Sequence, residues 1–438
     1  MKAPPRERRA LSHVATPKDE TDAVGPRKLA SLLKDVFSAA SREELSEDGD
    51  DEAVRAHVHG FHSYPARMHP SVAREALLGL APKQGVVLDP FCGGGTVLVE
   101  GRIDDQDVIG VDANPLAVRL AELKATGRSS EQLDALVEGA RRVAAFADER
   151  RKARSGASRR FPPDDVALFA PHVLLELDGL RLGIDREKNV KLRADLELVL
   201  SAILTKVSRK LGDSSEKSEE KRIAAGYTAK LLVRKADELA QRVEEFVAKV
   251  PRNTPPPIVL EGDARELAGV DSGSVDLVLT SPPYPGNYDY LSHHAARLRW
   301  LRMDASSFDS REVGARRHLE NPKQRDPIGT WRNDVAGFLK AMRRVLRPDG
   351  CALLIIADSV VGDQAVFIDD LVRDVAPSCG MDLVARASQQ RPHFHGPTQK
   401  LFRQRPRREH ALYLEPVAEA RPQPKAGVAK PRTSAREK

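Results

Sequence analysis

Two short stretches of this 438-residue sequence carry residue types that could do chemistry. The first is LDPFCGGGT, residues 88–96, where three consecutive glycines follow an apolar run. Glycine lets backbone and ligand approach where a Cβ would clash. If a helix starts at the end of that bend, its first amides face whatever occupies it. Asp89, Phe91, Gly93, Gly95 and Thr96 are the candidate binding residues here. The spacing matches neither the Gly-Lys-Ser/Thr phosphate loop nor the GxGxxG dinucleotide turn. Taken alone, it also fits a tight structural turn.

Two acids follow it in order. Asp112 ends the apolar run DVIGVD, roughly 20 residues on, where a carboxylate can hold two ribose hydroxyls. Asp263 ends VLEGD, where another acid can meet an adenine edge. A lone aspartate at a strand end is commonly a helix cap. Three such ends in order, one of them glycine-rich, point to a nucleoside ligand. No lysine is placed to grip phosphates, which favours an uncharged tail over a triphosphate. S-adenosylmethionine has that make-up: adenine, ribose, and an amino acid in place of phosphates.

The second stretch is TSPPYPGNYDY, residues 280–290, directly after the apolar run VDLVLT. Prolines fix φ and remove N–H donors, so the carbonyls around Pro282 and Pro283 are left to accept from something else. A ligand amino group, which donates two hydrogens, is a natural guest. Tyr284 offers a flat face for stacking a ring, and Ser281 a hydroxyl. An ordinary Pro-Pro-Tyr loop, buried for packing, is the plainer alternative when the stretch is read by itself.

The elements that must position these residues alternate in type. GVVLDPFC reads as a strand entering the glycine bend, TVLVEGRI as a helix, DVIGVDAN as a second strand, and PLAVRLAELKA as a helix with proline at its start. PIVLEGDA is a third strand, SVDLVLTSPPY a fourth and CALLIIADS a fifth, and MDLVARASQQ with REHALYLEP fits a closing antiparallel pair. This is βαβα logic, hence an α/β fold with a Rossmann-like, mostly parallel sheet. Strand ends at its carboxyl side form the ligand crevice. Between the second and third strands, residues 128–255 hold three long, charged, helix-spaced stretches, expected as a helical insertion. The expected domains are a flexible charged arm over 1–50 carrying one helix, a catalytic domain over 51–127 and 256–416, the insertion, and a disordered basic tail over 417–438.

Composition narrows the class. No apolar run approaches the roughly 20 residues that span a bilayer, and the first residues lack the apolar segment of a secretory signal. Cys92, Cys351 and Cys379 make neither a disulfide framework nor a spaced zinc site. A soluble, cytoplasmic protein is expected. The net charge of +6 mildly favours an acidic partner such as nucleic acid. His57, His59, His62 and His69 cluster early, with His393 and His395 late. Cysteine and carboxylate ligands at zinc spacing are missing, so no metal is expected. Phe61 and Tyr64 read as packing or cofactor-lid residues, and Cys92 as a small filler.

DPFCGGGT followed by TSPPY resembles the paired signature motifs of the amino-group DNA methyltransferases, usually DPFxGSGT and [DNS]PP[YFW]. GFHSYPARMHP (60–70) and IGVDANPLA are similar to further segments of that family. Gly94 departs from the common serine. The resemblance covers about 55–127 and 256–415. It implies methyl transfer from S-adenosylmethionine to N4 of cytosine or N6 of adenine in DNA, in a restriction–modification setting. The serine of TSPPY favours cytosine N4. It implies that Ser281 and the Pro282 carbonyl take the amine's hydrogens, with Pro283 shaping the turn and Tyr284 stacking a base flipped from the duplex. Asn287 and Tyr288 are candidate rim contacts. Basic runs in the insertion (RRKARSGASRR and KVSRKLGDSSEKSEEKR) and FRQRPRREH are candidate phosphate contacts, and target recognition is the role read for 128–255. An RNA amino-methyltransferase, a catalytically silent nucleic-acid binder and a glutamine-amide methyltransferase stay open as alternatives.

Overall fold

A computed structural model gives the fold and describes residues 21–42, 51–210, 219, 221–321, 323–391 and 396–417. Ten strands are numbered in chain order: β1 (Asp22–Val24), β2 (Val86–Asp89), β3 (Asp107–Asp112), β4 (Ile258–Glu261), β5 (Val275–Thr280), β6 (Leu346–Ala357), β7 (Ser359–Val361), β8 (Gln364–Val366), β9 (Met381–Gln390) and β10 (Arg408–Pro416). Eight of them form one sheet in the order β1-β9-β10-β6-β5-β2-β3-β4, and β7 and β8 form a hairpin beside it. β4, β3, β2, β5 and β6 run parallel. β10 is antiparallel to β6 and to β9, as the closing pair requires.

The chain leaves β2 for β3 and β4 on one side, then returns to place β5 on β2's other side. That reversal makes a switch point between β2 and β5, where carboxyl ends of adjacent strands open a crevice. β2 ends at Asp89 and β5 at Thr280. The glycine bend and the double-proline loop therefore leave neighbouring strands at the same edge of the sheet.

Local sequence explains the helices that flank the crevice. Thr96–Ile103 starts behind Gly95, whose φ of 82° is left-handed, and an added Cβ there would lie 2.9 Å from the Ala121 Cα. Only glycine meets both demands at low cost. Pro115–Ala125 is capped by Asn114, whose side chain accepts from Leu116 N at 3.0 Å.

The N-terminal arm is corrected over its described part. Leu33, Val36, Phe37 and Ala40 lie one face apart on the helix Arg27–Arg42 and are buried. They pack against β9 and the helix Pro70–Leu80, while Asp22–Val24 adds a strand to β9. The apolar stripe needed a surface, and the sheet supplies it. Phe37→Ala is expected to cost about 3 kcal/mol, read as a fall in the urea midpoint at unchanged slope. A change under about 0.5 kcal/mol is what a solvated arm would give. Residues 1–20, 43–50 and 418–438 lie outside the described residues, as do His393 and His395.

The insertion enters between β3 and β4, as expected. It holds Ser130–Lys152, Val190–Val207 and Tyr227–Val247, corresponding to the three long stretches, and two further helices, Pro163–Leu168 and Pro171–Asp185, each begun by proline. Its core residues, Leu136, Leu177, Leu200 and Leu239 among them, join the same apolar cluster as Val87 and Leu98 of the sheet domain. Arg242 Nη1 reaches back to donate to the Arg55 and His57 carbonyls at 2.5 and 2.9 Å. No helix among the described residues is long and apolar enough to cross a membrane.

Candidate active site

Asp89 closes β2, and its Oδ1 accepts from the Thr280 hydroxyl at 2.5 Å and from Phe91 N at 3.1 Å. One carboxylate thus ties the start of the glycine bend to the last residue of β5. Asp112, at the end of β3, accepts from Gly93 N through Oδ2 and from Asn114 N through Oδ1, both at 2.8 Å. It sets the bend's amides and keeps lone pairs on each oxygen for a ligand.

These groups border an open cleft, lined in part by Asp89, Phe91, Gly93, Thr96 and Asp112 on one side and by Ser281 and Pro283 on the other. Seven of the eleven residues singled out from sequence share this cavity wall. Gly95 lies behind the wall as the helix cap. Pro282 is buried and Tyr284 half-buried in the adjoining loop, outside the wall itself.

Asp263 does not take the place expected for it. Its two oxygens accept from Arg265 Nε and Nη2 at 2.9 and 2.7 Å, and Arg265 Nη1 reaches Asp334 at 2.8 Å. A carboxylate engaged bidentately is not free to meet an adenine edge. Its neighbour Ala264 lines the cleft instead.

Tyr64 roofs the glycine bend. A Cβ on Gly93 would lie 3.1 Å from the Tyr64 ring, and one on Gly94 would lie 3.2 Å from its Cβ. Gly94 is thus matched to this tyrosine, which explains the departure from serine. The Tyr64 hydroxyl accepts from Asn114 Nδ2 at 3.3 Å, and its ring stacks on His294 and Tyr290, with centroids 5.0 and 6.1 Å away. Phe61, by contrast, is buried under Lys235 as core.

The segment 308–313 was missed by sequence reasoning: Phe308, Arg311, Glu312 and Val313 complete the wall. Glu312 is buried, accepts from Tyr290 N at 2.6 Å, and holds Arg317 Nη1 at 2.6 Å. Nothing in that polar stretch marks it locally: Arg317 is five residues on, but the Tyr290 amide that ties it to the proline loop is 22 residues back.

Burial governs the titration of the two acids. It raises Asp89 to about 7 against the Thr280 and Phe91 hydrogen bonds, and Asp112 to about 6 against its two amide donors. Both folded values lie above the ordinary carboxylate range near 4. The stability these groups contribute is therefore fully present below about pH 4 and lost as pH rises through about 6 to 7. The ligand-free protein is expected to melt at a lower temperature at pH 8 than at pH 5. Asp89→Asn, which keeps the acceptor and removes the charge, should flatten that decline by up to about 4 kcal/mol.

Cys92 is buried against Gly110, and burial pushes its thiol up, which leaves it a filler rather than a nucleophile. The early histidines are tied into the structure. His62 Nε2 meets Ser201 Oγ at 2.9 Å, and His69 Nε2 meets Asp51 at 2.6 Å. His57 and His59 adjoin Glu100, but that carboxylate is shared between His59 and Arg74, at 2.7 and 3.0 Å. Asp358, Asp369 and His410 form a second buried group whose carboxylates already hold His410, Ile368 N, Arg408 N and Arg405.

Of the basic residues in RRKARSGASRR and FRQRPRREH, Arg151, Lys152, Arg154, Arg160 and Arg403 are exposed, with Arg151 and Lys152 paired to Asp148 at 2.6 and 2.8 Å. Arg405 and Arg408 are committed to Asp369 and Asp22, and Arg159 lies over Trp300. The helix after the proline loop, Tyr290–Leu301, docks on the insertion through Arg299–Asp165 and Arg297–Thr205. Asn287 is exposed at the loop's tip and Tyr288 half-buried.

No protein-family model matches the chain. It is similar to the Type II methyltransferase M.MvaI of Kocuria varians, 39% identical over 72 residues, which is 16% of this chain and 16% of that protein. Among solved structures it is similar to TrmN from Thermus thermophilus, at 13% identity and a TM-score of 0.31, over 80% of this chain and 49% of that one. It is also similar to the rRNA methyltransferase aviRa from Streptomyces viridochromogenes, at 15% identity and a TM-score of 0.31, over 82% and 89%.

Proposed function

We propose that the chain transfers a methyl group from S-adenosylmethionine to an exocyclic amino group of a base in DNA, cytosine N4 ahead of adenine N6. The observation that carries this reading is the shared cleft, with Gly93, Thr96 and Asp112 on one wall and Ser281 and Pro283 on the other. The matched stretch of the Kocuria varians enzyme supports the same class of reaction.

The residues present fit that cofactor. The glycine bend lets Tyr64 close over it beside the cleft, and Asp112, on the cleft wall, keeps acceptor capacity for ribose hydroxyls. Arg67, a cationic side chain on the wall, is already bound to the His59 and Val54 carbonyls rather than poised for phosphate. Bound there, S-adenosylmethionine supplies an electrophilic methyl on its sulfonium sulfur. Ser281 and the Pro282 carbonyl accept the two hydrogens of the incoming amine and turn its lone pair out of the base ring. Holding the amine at near-attack distance does most of the work. No strong base is needed, since the amine's proton leaves after the methyl has arrived. Tyr284 stacks the extruded base and offsets part of the few kcal/mol that flipping costs. Exposed Lys152, Arg154 and Arg160 on the insertion supply phosphate contacts, in keeping with a target-recognition role for that module.

The test is direct. Purified protein is incubated with methyl-labelled S-adenosylmethionine and, separately, duplex DNA, single-stranded DNA and tRNA, and the modified nucleoside is identified after digestion. Label on an exocyclic amine of DNA is expected. Label in tRNA alone would move the substrate to RNA. No label and no cofactor binding would leave a silent binder.

A further inference from the structure

Tyr284 stands at the end of a line of buried contacts that the reaction outlined above does not use. Its hydroxyl donates to Glu409 Oε1 at 2.6 Å. Glu409 lies on β10, is 2% exposed, and accepts from Arg391 Nε through Oε2 at 2.8 Å. The Arg391 guanidinium in turn lies over the Phe37 ring, 5.4 Å from its centroid. β10 is an interior strand, paired on both edges, so this carboxylate is carried by the most rigid part of the sheet.

A half-buried tyrosine beside a loop does not require a buried charge as partner; water would satisfy its hydroxyl. A carboxylate withdrawn from water is costly unless it is paired, and here Arg391 pairs it. A charge-assisted O–H···O bond is roughly twice as strong as a neutral one. It holds the hydroxyl end of Tyr284 while Pro282 and Pro283 hold the backbone end. Tyr284 also packs against the apolar cluster that holds Leu88, Val278 and Leu354. Held at its backbone end by the prolines and at its hydroxyl end by Glu409, the ring keeps its position before any substrate arrives, and the packing against it sets its orientation.

We propose that Glu409 is a positioning residue for the acceptor base: through the Tyr284 hydroxyl it anchors the ring on which that base stacks, with Arg391 holding the carboxylate in place. The proposal rests on the reading that Tyr284 receives the base.

The test compares the unaltered protein, Glu409→Gln, Tyr284→Phe and the double variant. Each is assayed for single-turnover methyl transfer to unmethylated plasmid DNA and to tRNA, for S-adenosylmethionine affinity, and for melting temperature. On whichever polymer the unaltered protein modifies, each single variant should lose rate roughly tenfold, at unchanged cofactor affinity, as removal of one charge-assisted bond predicts. The double variant should be no slower than either single one, because both remove the same charge-assisted bond. Tyr284→Phe retains the ring and carries the test by itself if Glu409→Gln fails to fold. A wild-type rate in Tyr284→Phe, or a further tenfold loss on adding Glu409→Gln to it, overturns the proposal while leaving the methyl-transfer reading standing. Absence of transfer by the unaltered protein to either polymer overturns both.

Discussion

Asp112→Ala should weaken S-adenosylmethionine binding about 100-fold. The argument is local. Asp112 is held by two backbone amides that leave each oxygen with spare acceptor capacity, facing the cleft. Two ribose hydroxyls donating to a carboxylate, each worth about 1.5–3 kcal/mol, are lost together, and about 3 kcal/mol is a factor of roughly 100. Isothermal titration calorimetry reads this directly. Affinity in the unaltered protein should also fall as pH drops through about 6, where the buried carboxyl takes up its proton, and the variant should lack that dependence. Asp112→Asn removes the charge at nearly unchanged size but turns an NH2 toward one of the Gly93 and Asn114 amides, so its melting temperature is read beside its affinity to separate charge from local collapse. An affinity within threefold of the unaltered protein would remove Asp112 from the cofactor site.

Tyr284→Ala should leave cofactor affinity intact and lower the methyl-transfer rate about 100-fold. Stacking is worth roughly 1–3 kcal/mol per base, and the truncation also strands the Glu409 oxygen that the hydroxyl satisfied. The loss falls on the chemical step because a base that is not held flat cannot present its amine at near-attack distance. Single-turnover kinetics with saturating cofactor distinguish this from slow product release. A variant that fails to bind the cofactor would instead place Tyr284 in the wall of the first site, which the cleft's lining does not suggest.

How much of this was legible in the sequence depended on how far apart the partners lie. The glycine bend, the strand ends and the double proline are local devices, since their requirement is written in adjacent residues. Their meeting followed from alternating strands and helices, which put β2 and β5 side by side. The N-terminal helix showed its apolar stripe, but not the sheet face that receives Leu33 and Phe37. Asp263 was read as a strand-end acid while Arg265, two residues on, takes its charge. That contact was short-range and could have been anticipated. Glu409 could not, because its partner lies 125 residues upstream and strand β10 is buried on both faces, so alternation gives no cue. Glu312 escaped for another reason: Arg317 is only five residues on, but the Tyr290 amide that brings the acid to the cleft lies 22 residues back and carries no side-chain signal.

The clasp between Arg242 and the carbonyls of Arg55 and His57 bears on how such a protein can diversify. The clasped segment runs directly on to Tyr64, which is seated on Gly93 and Gly94. The inserted helices and the Tyr64 cover of the glycine bend are therefore joined, and, if the proposed roles hold, target choice and donor binding share one mechanical piece. Wholesale exchange of the module between relatives would unseat the cover. New preferences must instead accumulate by single replacements on its outward surface, where Arg154 and Arg160 already stand.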